Sequence, residues 1–161
     1  KMKKQKKLDK RRRREGKTNY TKRLILLKGN LPRLVVRKTN KYIIIQIIES
    51  SHALDKVKYF VNTKELLKYG WPEAKKGSLK SVTAGYLAGL LLGKKAKELK
   101  KELILDSGLI PNTSSSRLYA VVKGVADSGI KIRFNKEVVP SEERIKGNYE
   151  FFDKIKQGVE K

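Results

Sequence analysis

The chain has 161 residues, with 40 Lys or Arg against 16 Asp or Glu and a formal net charge of +24. Such a surface repels itself unless a polyanion offsets it, and nucleic acid fits best because neutralised phosphates release their counterions. The absence of cysteine excludes disulfides and thiolate metal sites, and with no apolar leader it favours a cytoplasmic protein. The longest uncharged stretch, residues 81–93, falls short of the roughly 20 residues of a spanning helix, so no membrane partner is expected.

The N-terminal segment, residues 1–23, is the most basic part of the chain. It holds thirteen Lys or Arg and two acids, including four consecutive arginines at 11–14. With almost nothing apolar to bury, it predicts an arm that orders only on its partner. Because the composition changes at Leu24, we expect a basic arm over 1–23, one domain over 24–147 and a C-terminal tail over 148–161.

Three segments rich in Val and Ile predict an antiparallel meander. Residues 33–38 and 41–48 are joined by a short turn and read as a hairpin, and a polar loop over 49–55 leads to a third strand over 57–62. The isoleucines of the second strand predict burial on both faces, which requires helices packed on the sheet.

Helical spacing appears after the meander. It predicts a short helix over 63–69 and a long helix over 79–99, capped by Ser78 or Ser81. Residues 103–106 then read as a strand that joins the same sheet through a crossover connection.

The C-terminal third repeats this pattern. It predicts a helix over 115–128, another strand over 130–134, a helix start at 140–143, and a polar tail. Tyr149, Phe151 and Phe152 would anchor that tail. The predicted fold class is therefore α/β: a mixed sheet, built from a three-stranded antiparallel meander plus a crossover strand, with helices packed on it.

Catalysis has little support in the sequence. His52 is the one histidine, and a serine cluster at 114–116 is better read as a loop and helix cap than as a nucleophile. Glu49 and Asp106 both end apolar strands, which leaves a metal-dependent nuclease as one alternative. No metal or cofactor is expected otherwise.

The basic residues of the arm and the first hairpin cluster instead of alternating with acids, which indicates a polyanionic partner. Thr18, Asn19, Thr39 and Asn40 lie among them and can hydrogen-bond a phosphate or a 2′-hydroxyl, and Tyr20 can stack on a base. This combination favours RNA over a merely anionic surface. A general nucleic-acid chaperone or DNA-packaging protein is the second alternative.

Six segments, in chain order, carry a more specific pattern than composition does. They are residues 11–28, 32–43, 84–96, 103–109, 116–129 and 140–145, and they span most of the chain from about 11 to 147. Their content and order resemble the family of large-subunit ribosomal protein eighteen, in its archaeal and eukaryotic form.

The resemblance implies a non-enzymatic ribosomal protein that binds 5S rRNA and the 23S/28S-type large-subunit rRNA in the central protuberance. Its neighbours there would be other ribosomal proteins, including the other 5S-binding protein. By position, the RNA contacts implied for the arm are Arg11, Arg12, Arg13, Arg14, Lys17, Thr18, Tyr20, Lys22 and Arg23. Those implied for the hairpin are Arg33, Arg37, Lys38, Thr39, Asn40 and Lys41. Loop candidates are Trp71, Lys75, Lys76, Ser115, Ser116 and Arg117.

Overall fold

A computed structural model describes residues 8–51 and 54–160, so His52 lies outside the described residues. The α-helices in these ranges are α1 (Arg11–Arg14), α2 (Tyr20–Lys28), α3 (Val82–Lys95), α4 (Arg117–Asp127), α5 (Glu142–Lys146) and α6 (Phe152–Glu160). The strands are β1 (Arg33–Lys38), β2 (Ile43–Ser51), β3 (Leu54–Asn62) and β4 (Ile104–Asp106). Short 3₁₀ helices cover Thr63–Tyr69, Glu73–Ser78 and Lys136–Val138.

The four strands form one mixed sheet in the order β3-β2-β1-β4. β1 and β3 pair antiparallel with β2, and β4 joins β1 in parallel after the crossover through α3. This confirms the predicted fold class. The register places Ile48 and Ile104 on either side of Arg33, so the alternation of side chains puts all three on one face of the sheet.

Strands β2 and β3 run further than their apolar residues predicted, so most of the expected loop over 49–55 is strand. Ser50 pairs with Asp55 across the hairpin, and Lys58 lies 3.4 Å from Glu49. Polar cross-strand pairs stabilise the pairing of β2 with β3 in this segment. The sequence therefore lacks the hydrophobic alternation that would predict strands here. The predicted strand over 130–134 is wrong: Ile132 forms one isolated bridge with Leu103.

Helices α3 and α4 cover one face of the sheet and pack at very short range. The hydroxyl of Ser81 accepts a hydrogen bond from the Ala84 amide at 3.2 Å, which starts α3 three residues later than the predicted range. A Cβ on Gly89 would lie 2.5 Å from the Val121 carbonyl oxygen. Only glycine permits this approach, so the small-residue flank of α3 is explained by packing.

The expected polar tail ends in a helix that belongs to the core. Phe152, Ile155 and Val159 of α6 are all buried in the main hydrophobic cluster. Their spacing places them on one stripe of the helix. The Trp71 ring packs against Tyr149 at 5.6 Å and Phe151 at 5.0 Å between ring centroids, as the predicted anchor requires.

The opposite face of the sheet is less completely covered. On β2, Ile43, Ile45 and Ile47 are buried on the first face, and on the second face Ile48 is buried and Ile44 is half-buried, so the expected burial of this strand on both faces is seen in part. Phe60 of β3 is 45% exposed on that second face. Helix α2 lies over the rest of this second face. Its Arg23 and Lys22 make polar contacts with Asp55 and Ser107, which hold it there.

Candidate nucleic-acid interface

A buried guanidinium organises the second face of the sheet. Arg33 is 2% exposed and donates hydrogen bonds to Asp106 at 3.0 Å, Ser50 at 3.0 Å and Asp55 at 2.8 Å. Arg23 of α2 donates to the other oxygen of Asp55 at 2.8 Å. The two arginines therefore share one carboxylate, which ties α2 to the sheet.

Asp106, at the end of β4, accepts hydrogen bonds from a second set of donors. Arg37 donates to its side chain at 3.1 Å and to its carbonyl oxygen at 2.8 Å, and the Gly108 amide donates at 2.9 Å. Burial alone would raise the pKa of Asp106, but the charge and hydrogen bond of Arg37, the Gly108 amide and the charge of Arg33 together lower it. The group is a fixed anion inside a basic surface.

Asp55 is held ionised in the same way. Burial would raise its pKa, but hydrogen bonds from Ser50, Arg23 and Arg33 bring the pKa down from the usual 3.8 to about 2. Two carboxylates thus hold three arginines in place, which fixes where the remaining positive charge of this face points.

The described part of the arm folds against this network. The Nε of Arg12 donates to Thr18 at 2.9 Å, and Asn19 caps α2 by accepting from the Lys22 amide at 3.0 Å. The Nζ of Lys22 reaches Ser107 at 2.7 Å, across 85 residues of chain. Helix α2 and the loop after β4 are thereby joined.

These contacts enclose a cleft of about 510 Å³, which we call the arm cleft. Its walls come from the arm, α2, the end of β1 and the loop after β4: Arg12, Lys17, Thr18, Asn19, Lys22, Arg23, Leu26, Arg37, Lys38 and residues 106–111. In the described part of the chain, the only acid on these walls is Asp106, which already faces two arginines. The cleft is therefore suited to an anion such as a phosphate.

The outer cations of the arm make weaker contacts. Arg11 and Lys17 pair with Glu15 at 3.4 Å and 2.8 Å, and Arg13 pairs with Asp9 at 3.6 Å, all with exposed side chains. Such surface pairs contribute little, so an incoming phosphate can replace them. No ion pair of Arg14 is found among the described residues, and Tyr20 lies beneath Lys10, whose Nζ is 4.6 Å from the ring centroid.

Four of the hairpin candidates, Lys38, Thr39, Asn40 and Lys41, lie at the tip of β1 and β2 and are exposed. Thr39 uses its hydroxyl internally, donating to the Tyr42 carbonyl and accepting from the Tyr42 amide at 2.9 Å each. Asn40 and Lys41 project beside it. Lys38 is the member of this group that lines the arm cleft.

Two predicted contacts are buried and must be corrected. Arg33 is enclosed by its carboxylate partners, and Trp71 is 2% exposed, with its Nε1 donating to the Lys75 carbonyl at 3.1 Å. Neither side chain presents a surface to RNA, so each supports the fold instead. Lys75 lies about 5.5 Å from the rings of Tyr149 and Phe151, and Lys76 pairs with Glu73 at 2.9 Å, away from the arm cleft.

Ser115, Ser116 and Arg117 line a second cleft of about 420 Å³, which we call the loop cleft. It also contains Arg144 of α5 and shares Lys38, Ile110 and Pro111 with the arm cleft. Residues 107–111 were not among the predicted contacts, although a glycine loop directly after a strand was a signal for them. Arg144 gave no such signal, because its place depends on how α5 packs.

The structure gives no support to a metal-dependent nuclease. Glu49 and Asp106 lie on opposite faces of the sheet by strand alternation, and Asp106 is occupied by guanidinium groups. Across 8–51 and 54–160, no group of three or more potential metal ligands comes together. Within the same part of the chain, no helix is long and apolar enough to cross a membrane.

Comparison with known proteins identifies the family of the chain. Residues 4–103 match the family model described as ribosomal large subunit proteins 60S L5 and 50S L18. The large ribosomal subunit protein uL18 of Korarchaeum cryptofilum is 47% identical over 150 residues, covering 91% of this chain and 75% of the relative. That of Methanoregula boonei is 41% identical over 140 residues, covering 86% and 78%. The chain therefore belongs to the family of ribosomal large-subunit proteins 60S L5 and 50S L18.

Proposed function

We propose that this protein is a structural component of the large ribosomal subunit that binds 5S rRNA and attaches it to the large-subunit rRNA in the central protuberance. Its neighbours there would be other ribosomal proteins, including the second 5S-binding protein. The observation that carries the proposal is the arm cleft. Cations from the arm, α2 and β1 converge on it, and its one acid is already satisfied.

The cleft suits a folded RNA better than a free anion. Its lysines and arginines supply phosphate contacts, while Thr18, Asn19 and Ser107 add hydroxyl and amide groups that can reach a 2′-hydroxyl. The exposed arginines of α1 extend the same surface outward. Binding then depends on the shape and charge of the RNA, and the protein has no chemical step to perform.

The arm's share of binding can be measured by changing residues 11–14 from Arg to Gln, which leaves Lys22 and Arg23 to anchor α2. Filter binding of an archaeal 5S rRNA transcript across a salt series should show a log-log slope that is shallower by up to about 3, since each phosphate contact contributes roughly 0.7 to 0.9. A matched control changes four exposed lysines elsewhere, at 97, 100, 101 and 154.

Equal slopes for the two four-residue variants would contradict the proposal, because they would show that only net charge matters. Duplex DNA of the same length as the 5S transcript tests the alternative of a general nucleic-acid chaperone. We expect the wild-type protein to bind 5S rRNA at least about tenfold more tightly than that duplex at physiological salt. Equal affinities would favour the chaperone.

A further inference from the structure

We infer that the loop cleft receives one unstacked nucleotide of the bound RNA, its base against the apolar wall and its phosphate against the cations. The inference rests on the proposed function and adds a second, separate contact to it. The cleft is formed where four parts of the chain meet. They are the turn between β1 and β2 with its flanking residues, the start of α3, the loop leading into α4, and α5.

The charge in this cleft is unopposed. Lys38, Arg117 and Arg144 come from three different elements, and none of them has an ion pair among the described residues. Among the residues that the structure describes, no Asp or Glu lines the cleft. Elsewhere on the surface, cations such as Lys95 and Arg133 do have carboxylate partners, at 2.6 Å and 2.9 Å. Three unpaired cations around one concavity raise its positive potential and favour an anion there.

Helix α4 points its free amides toward the same place. Ser116 stands at the N-cap of this 11-residue helix, yet its side chain caps no amide, and its hydroxyl has no hydrogen-bond partner within residues 8–51 and 54–160. The preceding residue, Ser115, has a φ of +54°, and its amide donates to the Val138 carbonyl at 2.8 Å. An uncapped helix start beside unpaired cations accommodates a phosphate.

The apolar wall distinguishes a nucleotide from a simple anion. The apolar residues that line the cleft are Val82, Ile110 and Pro111, which keep exposed surface, and Val36, Ile43 and Leu118, which are at most 3% exposed. A flat base can lie against such a wall, and proteins that read RNA sequence bind mostly bases that have left the helical stack. A phosphate alone would leave this surface exposed to water.

The position of the loop explains how one RNA could fill both clefts. Lys38, Ile110 and Pro111 line the arm cleft on one side and the loop cleft on the other. A strand that leaves the arm cleft therefore meets Lys38 next, and the loop cleft beyond it. This continuity favours RNA over an acidic peptide as the occupant.

The test uses the full-length protein with Arg117→Gln and Arg144→Gln together, and an archaeal 5S rRNA transcript substituted with 4-thiouridine. We expect the affinity to fall on the order of tenfold, because two charge-assisted contacts are lost. Ultraviolet cross-links to residues 110–118, present with the wild-type protein, should disappear. A control with Lys100→Gln and Lys101→Gln removes the same charge elsewhere and should keep the cross-link.

Restoring the charge with Arg117→Lys and Arg144→Lys should recover most of the affinity, which a folding defect would not allow. The inference is overturned if the double Gln variant binds like the control, or if the wild-type cross-links lie outside residues 110–118. Cross-links outside these residues, combined with binding of an acidic peptide in the cleft, would assign the cleft to a protein. Failure of the proposed function looks different: the wild-type protein would then show no preference for 5S rRNA.

Discussion

The two faces of the sheet are stabilised by different means. On one face, Leu34, Ile45 and their neighbours form a single hydrophobic cluster with residues of α3, α4 and α6, and this cluster contains no charged side chain among the described residues. The other buries Arg33 between Asp55 and Asp106 beneath α2. Helix α2 is thus held on the sheet by charged hydrogen bonds, and Asp55 and Asp106 orient the arginines around them.

The two arrangements should also fail differently. In an apolar layer, a smaller side chain leaves a void and a larger one causes a clash. Removing one partner of a buried ion pair instead leaves a charge without compensation. The polar face should therefore be the more sensitive to a single change in an acid, even though it buries fewer apolar side chains.

The largest effect should come from Asp106→Ala. The substitution leaves Arg33 buried with one carboxylate fewer and releases Arg37, so the free energy of unfolding should fall by about 3–5 kcal/mol. Urea denaturation followed by circular dichroism would measure it. Glu98→Ala, at an exposed acid, is the control and should change little. If Asp106→Ala cost no more than this control, the buried charge network would not be stabilising the fold.

The apolar face of the sheet, with the helices packed on it, is tested by Gly124→Ala in α4. The added Cβ would collide with the Tyr86 carbonyl of α3, and separation of the helices should lower the free energy of unfolding by about 1–3 kcal/mol, despite the better helix propensity of alanine. Gly77→Ala, where nothing lies within 4 Å, is the matched control. An equal change in the free energy of unfolding at both positions would mean that the close approach of α3 and α4 does not contribute to stability.

The smallest effect concerns pH. The folded pKa of Asp55 is about 2 against a usual 3.8, so its contribution is complete above pH 3.8 and is lost as the pH falls through 2. Because Asp55 is partly exposed, we expect about 1 kcal/mol after allowing for solvent screening. Urea midpoints at pH 5 and pH 2 should separate more for wild type than for Asp55→Asn, and identical shifts would rule out this role for Asp55.

Hydrophobic periodicity was enough to predict the meander, the crossover strand and the positions of α3 and α4. It could not predict the extension of β2 and β3 to Ser51 and Leu54, because polar pairs carry that part of the ladder. The clustering of basic residues, in turn, placed Arg33 among the surface cations. Burial of an arginine depends on carboxylates that lie 22 and 73 residues away, which no local pattern encodes.

The site was predicted in part. The runs of Arg and Lys indicated the arm and the hairpin, and the structure brings Arg12, Lys22 and Lys38 to one cleft. The loop after β4 was not predicted as part of the candidate site, since its nearness to the arm follows from the parallel pairing of β1 with β4. Arg144 was not predicted because its place beside the loop cleft depends on how α5 packs. The family resemblance implied a contact at Trp71, yet its ring completes the core.

The parallel pairing of β4 with β1 has a consequence for protein synthesis. A growing chain that has emerged only as far as α3 already contains every cation of the arm, but neither Asp106 nor Ser107 is yet available to hold Arg37 and Lys22. During that interval, its attraction to nucleic acid is governed by charge alone. If the arm cleft binds RNA as proposed, we expect ribosomes stalled before residue 104 to expose nascent chains that bind RNA indiscriminately, and those stalled well beyond it to expose chains that discriminate.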